Sequence, residues 1–207
     1  MIAIIDYGVG NLFSLKSSLA MIGAQAVVTG DADVLRSADR LILPGVGAFG
    51  DARQKLAQTG LDAALCAEAA RGKPVLGICL GMQMLFDRSL EYGEHKGLGL
   101  IPGEVVPMAG RLPEGLKIPH IGWNALAIRK PDHPLMKYTE SGDCVYFVHS
   151  FCATRCEESV IATAEYGAPL TAAVARGNVL GCQFHPEKSG RVGLEILRAF
   201  CESQVAE

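Results

Sequence analysis

The chain has 207 residues and a formal net charge of −3, so it lacks the basic excess that is typical of nucleic-acid-binding proteins. Hydrophobic residues make up 49% of the sequence, enough to bury a substantial core, but no apolar run approaches the roughly 18 residues that cross a membrane. Nothing at the start resembles a secretory signal and the seven cysteines are irregularly spaced, so we expect a cytoplasmic protein with reduced thiols.

The first part of the chain alternates between short apolar runs and stretches that carry apolar residues at helical spacing. The apolar runs predict strands at residues 1–5, 24–29, 40–44 and 74–78. The helical spacing predicts helices at residues 11–23, 48–60, 61–72 and 80–89, several of them followed or closed by a glycine.

Beyond residue 100 most segments are strand-like and are joined by Gly, Asp and Asn turns. Strands are predicted at residues 103–108, 120–128, 144–151, 159–167, 170–177 and 178–185, and a last helix at residues 190–203. Strand–helix repetition with continuously apolar strands implies a parallel sheet covered on both faces. We therefore expect a three-layer α/β fold with a mostly parallel central sheet flanked by helices. An additional antiparallel β-rich portion is expected in the second half, within one domain at residues 1–207.

Cys79 stands where the predicted strand at residues 74–78 ends and a helix begins. Sites in open α/β sheets form beyond the carboxyl ends of strands. Gly77 and Gly81 flank the cysteine, and small neighbours allow the tight strand–turn–helix that holds a nucleophile clear of a sheet. The helix N-terminus favours a thiolate, and the N–H of Leu80 is placed to donate to an oxyanion. The alternative is a buried structural cysteine, unless a base lies elsewhere.

A base is available at the end of the last predicted strand, where His185 is followed by Glu187. Residues two apart on a strand project to the same face, so Glu187 is placed to orient the imidazole and His185 to take the thiol proton. His120 and His149 lie near other strand ends and are possible site residues, but they have no carboxylate at this spacing. The sequence therefore predicts a triad of Cys79, His185 and Glu187.

Two glycine-rich segments follow strands in the first part of the chain. Residues 44–47, PGVG, follow the third strand, and Gly45 and Gly47 allow backbone N–H groups to turn toward a ligand; an ordinary strand–helix turn is the alternative. Residues 6–14 begin a dinucleotide fingerprint, but Phe13 occupies the position of its third glycine. We therefore expect no dinucleotide site.

Together these motifs resemble the class I, or triad-type, glutamine amidotransferases. The stretch GICLGMQ, followed about a hundred residues later by HPE, is similar to that family's nucleophile and base pattern. A closer resemblance is to the branch of the family that forms the glutaminase subunit of imidazole glycerol phosphate synthases in histidine biosynthesis. It is carried by the segments DYGVGNLFS, PGVGAFGDA, KGLGLIPG, PHIGWN, YFVHSF and FHPEKSG, which span residues 6–190.

The resemblance implies roles for particular residues. It implies that the Cys79 thiolate attacks the side-chain carbonyl of L-glutamine, that His185 protonates the departing ammonia and that Glu187 holds His185. The backbone N–H groups of Leu80 and Gly47 then form the oxyanion hole. The residues implied to contact the substrate are Gln83, Glu91, Ser150 and Phe151. Those implied to lie at a partner interface are Trp123 and Lys188.

The same resemblance implies a partner and no cofactor or metal. The acceptor site is expected on a separate cyclase subunit with a (β/α)8 barrel, in a heterodimer through which ammonia is channelled. The products there are imidazole glycerol phosphate and an aminoimidazole carboxamide ribotide.

Three alternative functions share some of these residues. The first is the glutaminase subunit of another amidotransferase, such as pyridoxal phosphate synthase, although PGVG and YFVHSF favour the histidine branch. The second is a metal-binding protein that uses Cys79, His185 and Glu187, which would need a further ligand or an open water position. The third is a non-catalytic binding module, which the intact Cys, His and Glu disfavour.

Overall fold

The computed structural model describes residues 1–203. The helices are α1 (Leu12–Met21), α2 (Ala32–Ser37), α3 (Phe49–Gln58), α4 (Leu61–Ala70), α5 (Leu80–Met84) and α6 (Gly190–Glu202). The strands of the first half are β1 (Ile2–Ile5), β2 (Ala26–Thr29), β3 (Arg40–Leu43), β4 (Val75–Ile78), β5 (Arg88–Ser89) and β6 (His95–Lys96). Those of the second half are β7 (Glu104–Pro107), β8 (His120–Ile128), β9 (Cys144–His149), β10 (Phe151–Thr154), β11 (Val160–Glu165), β12 (Pro169–Arg176) and β13 (Val179–Cys182).

Nine strands form one sheet in the order β2-β1-β3-β4-β13-β12-β11-β8-β9. The five strands from β2 to β13 run parallel, and the remaining strands are antiparallel to their neighbours. A smaller sheet has the order β10-β7-β5-β6. The predicted α/β class, with parallel strands first and antiparallel strands later, is confirmed.

Apolar residues follow one another without interruption in the parallel strands because both faces of the large sheet are covered. Ala3 and Ile5 of β1 pack toward α2, α3 and α4, whereas Ile2 and Ile4 pack toward α1 and α6. A strand buried on both sides has no polar face, which explains why the sequence shows runs rather than alternation. The result is three layers, with the carboxyl ends of the parallel strands left open at one edge.

The predicted helix at residues 80–89 is too long. The helix ends at Met84 because the next carbonyls are taken by other partners: Leu98 N–H donates to Met84 O and Leu100 N–H to Leu85 O. The chain then forms β5, which pairs with β6 and β7. This competition comes from a segment a dozen residues away and has no local signal.

Two strand predictions need correction. The segment at residues 144–151 is two strands, because the chain leaves the large sheet at Ser150 and β10 joins the small sheet. The last strand ends at Cys182, three residues before His185. The short helix α2 was not predicted, although Asp31 caps it by accepting the N–H of Asp33 at 2.8 Å.

Within residues 1–203, a membrane span would require a long apolar helix, and a metal site would require a cluster of ligating side chains. No helix in this range is long and apolar enough to span a bilayer. Residues 1–203 contain no group of three or more His, Cys, Asp or Glu side chains that could hold a metal ion.

Candidate active site

Cys79 lies at the turn between β4 and α5 in a strained backbone conformation. Its φ is 54° and its ψ is −112°, a combination that a residue with a side chain rarely adopts. The strand beside it holds the turn, because Cys79 N–H donates to Cys182 O at 2.8 Å. This turn places Cys79 at the open edge of the sheet, directly before α5.

The two flanking glycines are required by close backbone contacts. A Cβ on Gly77 would lie 2.7 Å from the backbone of Met82, and one on Gly81 would lie 1.8 Å from the carbonyl oxygen of Leu43. The helix therefore packs directly against β3 and β4. The pattern of small residues around Cys79 reflects steric exclusion at both positions.

We expect Gly81→Ala to destabilise the fold by several kcal/mol, about 3 or more, because its methyl group overlaps a backbone carbonyl that cannot move alone. Gly142→Ala is the steric control, because nothing lies within 4 Å of its new Cβ. Gly142 has a positive φ of 101° and Gly81 does not, so backbone strain in the control works against the expected difference. Thermal and denaturant unfolding of both variants measure the difference. Equal stability of the two variants would contradict a steric role for Gly81.

His185 is positioned by backbone contacts to strand β9. Its N–H donates to Tyr146 O at 2.9 Å, and Ser189 Oγ donates to His185 O at 2.6 Å while accepting the N–H of Tyr146. His185 directly precedes a 3-10 turn at Pro186–Lys188 that carries Glu187. The turn brings Glu187 Oε1 to 2.8 Å from His185 Nδ1. The pair thus forms through a turn and not through the strand alternation that the sequence suggested.

Burial and two neighbouring side chains act on the pKa of His185 in opposite directions. Burial lowers the pKa of His185, but Cys79 and Glu187 outweigh it and raise the pKa to about 9. Its Nε2 is buried and has no partner in hydrogen-bond geometry among the described residues. The hydrogen bond between a base and its nucleophile often forms only when substrate binds. With Nδ1 committed to Glu187, Nε2 is the atom available for proton transfer.

A cavity of about 300 Å³ opens over these groups. Its floor contains Cys79 and His185, together with the two residues implied to supply oxyanion donors, Gly47 and Leu80. Leu80 is the first residue of α5, so its N–H has no partner inside the helix. The four residues implied to contact substrate also line the cavity: Gln83, Glu91, Ser150 and Phe151.

Comparison with known proteins places the chain in a family. The family model described as glutamine amidotransferase class-I matches residues 3–203, nearly the whole sequence. The chain belongs to the class-I glutamine amidotransferases.

Relatives of this amidotransferase are similar over almost their full length. A protein of Wolinella succinogenes named imidazole glycerol phosphate synthase subunit HisH is 50% identical over 204 residues, covering 98% of this chain and 99% of the relative. A protein of the same name from Caldanaerobacter subterraneus is 49% identical, with 98% of each chain covered.

Solved structures share the fold of this amidotransferase at low sequence identity. One is described as a crystal structure of glutamine amidotransferase; its TM-score is 0.76 at 21% identity, with 98% of each chain covered. Another, described as the structure of PurLQS from Thermotoga maritima, has a TM-score of 0.74 at 23% identity, covering 97% and 96% of the two chains. At these identities they show the fold alone.

Two of the implied substrate residues of the amidotransferase also make internal contacts. Glu91 Oε2 accepts the N–H of Phe49 at 2.8 Å at the start of α3, and burial raises the pKa of Glu91. Gln83 Nε2 donates to Phe151 O at 3.3 Å and to Gln183 Oε1 at 2.9 Å. The wall of the cavity is therefore fixed by side chains that the sequence suggested as substrate contacts.

A pair of histidines supports the same wall. His149 Nδ1 lies 2.8 Å from Phe151 O, so it carries the proton, and His149 Nε2 therefore accepts from His120 Nδ1 at 3.1 Å. Burial lowers the pKa of His149 to about 4, so it is neutral at pH 7. His149 lines the cavity, whereas His120 lies behind it. The sequence indicated both as possible site residues without a role.

Sequence reasoning missed Gln183, which is fully buried beside Cys79. The spacing gives only a hint, because Gln183 precedes His185 by two residues in the predicted strand at residues 178–185, where such residues share a face. The contact of Gln183 with Cys79 depends on the pairing of β13 with β4, which the spacing does not reveal.

Trp123 and Lys188 lie outside the cavity on a surface that we call the outer patch, formed by Ile121, Trp123, Tyr146 and Lys188. Ile121 and Trp123 are each 58% exposed on β8. Tyr146 pairs with Trp123 across the strands, and Lys188 Nζ lies 5.9 Å from the centre of the Tyr146 ring. Because Lys188 belongs to the turn that carries Glu187, the outer patch adjoins the His185–Glu187 pair.

Proposed function

We propose that this amidotransferase is the glutaminase subunit of an imidazole glycerol phosphate synthase, acting in the cytoplasm as one domain at residues 1–207. One observation carries the proposal: a strained Cys79 lines the same cavity as His185, and His185 is hydrogen-bonded to Glu187. The relatives that bear this name at 49% and 50% identity support the choice of synthase.

The proposed reaction begins with the Cys79 thiolate. Its sulfur attacks the side-chain carbonyl carbon of L-glutamine, and the carbonyl oxygen becomes an oxyanion. His185, protonated at Nε2, gives its proton to the departing nitrogen, so ammonia leaves and a thioester remains. Neutral His185 then takes a proton from water, which attacks the thioester and releases glutamate. Glu187 holds the imidazole in the correct orientation through Nδ1.

Two backbone donors are proposed for the oxyanion. The N–H of Leu80 is fixed by the start of α5, whereas Gly47 belongs to a loop. Gly47 has a φ of 90°, and nothing lies within 4 Å of the position where a Cβ would be, so we propose that the peptide between Val46 and Gly47 can rotate. One oxyanion donor is typically worth about 3 kcal/mol, roughly a hundredfold in rate. Rotation of this one peptide is therefore sufficient to switch the glutaminase on or off.

Ammonia must reach its acceptor without being protonated, because the ammonium ion is not a nucleophile. We propose that the partner is a cyclase subunit with a (β/α)8 barrel, seated on the outer patch. The patch is apolar and exposed at Ile121 and Trp123, as expected of an interface core. The patch also includes Lys188, whose Nζ lies over the Tyr146 ring. Lys188 belongs to the turn that carries Glu187, so a partner seated on the patch would contact this turn.

The test is glutamate release by the chain alone, with the cyclase, and with the cyclase plus its ribonucleotide substrate. We expect low activity alone and about a hundredfold stimulation in the full mixture, which should also form imidazole glycerol phosphate from glutamine. Trp123→Ala should reduce the stimulation. Met21→Ala is the matched control, because Met21 is also exposed but ends α1 at the opposite edge of the sheet.

Equal glutamate release in all three mixtures would contradict the proposed coupling. Glutamate release without any imidazole product would contradict the assignment to this synthase while leaving the glutaminase intact.

A further inference from the structure

Gln183 is a buried side chain that connects the nucleophile to the cavity wall. It follows β13, and none of its surface is exposed to solvent. Its Nε2 lies 3.8 Å from Cys79 Sγ, and its Oε1 lies 2.9 Å from Gln83 Nε2. Its backbone N–H donates to Ala172 O at 2.8 Å, so the residue is fixed from both sides.

The direction of the Gln183 amide follows from its neighbours. The carbonyl of Phe151 can only accept, so the nearby end of the Gln83 amide must be the nitrogen, which donates to Phe151 O at 3.3 Å. The same nitrogen faces Gln183, whose near atom must therefore be the oxygen. The remaining end of the Gln183 amide, which faces the sulfur, is the NH2 group. The backbone carbonyl of Phe151 thus determines which group faces Cys79.

We propose that Gln183 is a further catalytic residue: its Nε2–H donates to the Cys79 sulfur and stabilises the thiolate, while Gln83 keeps the amide in that direction. The inference rests on the proposed function, in which Cys79 is the nucleophile. A hydrogen bond to a charged acceptor is among the stronger ones in proteins, and this one lies in a site closed to solvent on its inner side.

The donor acts at two points of the reaction. Before attack it stabilises the sulfur anion without adding a second positive charge beside His185. During hydrolysis of the thioester the C–S bond breaks and the electron pair returns to sulfur, which makes the thiolate the leaving group. His185 is then occupied with the proton of the attacking water. Gln183 remains available to stabilise the departing sulfur.

The experiment compares the full-length wild-type chain with Gln183→Met, which keeps the side-chain length and removes the donor. Cys79 alkylation by iodoacetamide is followed from pH 4 to 10 by mass spectrometry of the peptide that contains Cys79, because the chain has seven cysteines. We expect alkylation of Cys79 at neutral pH to slow about tenfold, because the thiolate loses a hydrogen-bond donor. With the cyclase present, kcat for glutamate release should fall at least tenfold and KM should change less than twofold.

Two further variants keep the test decisive if Gln183→Met folds poorly. Gln183→Glu retains the acceptor for Gln83 but presents a carboxylate to the sulfur, so it should slow alkylation more than Gln183→Met does. Gln83→Met removes the group that orients the amide and should give a smaller shift in the same direction. An increased KM with an unchanged alkylation profile in these variants would overturn the proposal and leave Gln183 a packing residue. A wild-type chain that releases no glutamate even with the cyclase would instead refute the proposed function itself.

Discussion

Replacing Cys79 with alanine is expected to abolish glutamine-dependent synthesis by the complex, lowering it by about 10⁴-fold or more, to background. The cysteine only releases ammonia, so synthesis from added ammonium salt at alkaline pH should continue at the wild-type rate. Product formation is measured with each nitrogen source. Cys144→Ala is the control, because Cys144 is an exposed free cysteine on β9 and should leave both activities unchanged.

Loss of both activities in Cys79→Ala would show that the residue is needed for assembly rather than for chemistry. Alanine fits the space of cysteine and retains the backbone contacts of the turn, so we expect the variant to fold and to bind the cyclase. Co-elution of the variant with the cyclase distinguishes an assembled complex from a separated one.

Loss of the base should be nearly as severe, because nucleophile and base act as a unit. We expect His185→Asn to lower glutamine-dependent activity by about 10⁴-fold, and Glu187→Gln to be ten to a hundred times less damaging, since it removes only orientation and charge support. Steady-state glutamate release with the cyclase measures both. A Glu187→Gln variant that is worse than His185→Asn would reverse these roles.

The same pair predicts a change with pH. Glu187 contributes to raising the pKa of His185 to about 9, and the imidazolium that protonates the departing amide nitrogen is present below that pKa. Removing the carboxylate lowers the pKa, so the imidazolium is lost at a lower pH. The alkaline limb of the activity profile of Glu187→Gln should therefore move toward neutral pH, whereas a purely structural role for Glu187 would leave the limb in place.

Local signals were sufficient to predict the class of fold and the place of Cys79 at the turn between β4 and α5. Apolar strands, glycine-closed helices and the glycines around Cys79 each report on contacts made within a few residues. The C-terminal end of α5 was not predictable, because it depends on carbonyl groups that accept hydrogen bonds from the N–H groups of Leu98 and Leu100. Nor was the break at Ser150, where one extended segment divides between two sheets.

The candidate site shows the same division between local and distant information. The spacing predicted that His185 and Glu187 lie together, and they do, although a turn and not a strand brings them together. Gln183 was missed because its importance depends on which strand lies beside β4. That neighbour is β13, which lies about a hundred residues further along the chain, and no pattern in a short window reveals the pairing.

The position of β13 between β4 and β12 also has a consequence for how the protein is made. The ribosome completes the turn at Cys79 long before it reaches the segment that contains His185. Until then β4 lacks its neighbour on one side, and the sulfur has neither imidazole nor amide beside it. The last strand to be synthesised enters the middle of the sheet and brings the base with it. A nascent or prematurely terminated chain thus carries the cysteine without the groups that would activate it.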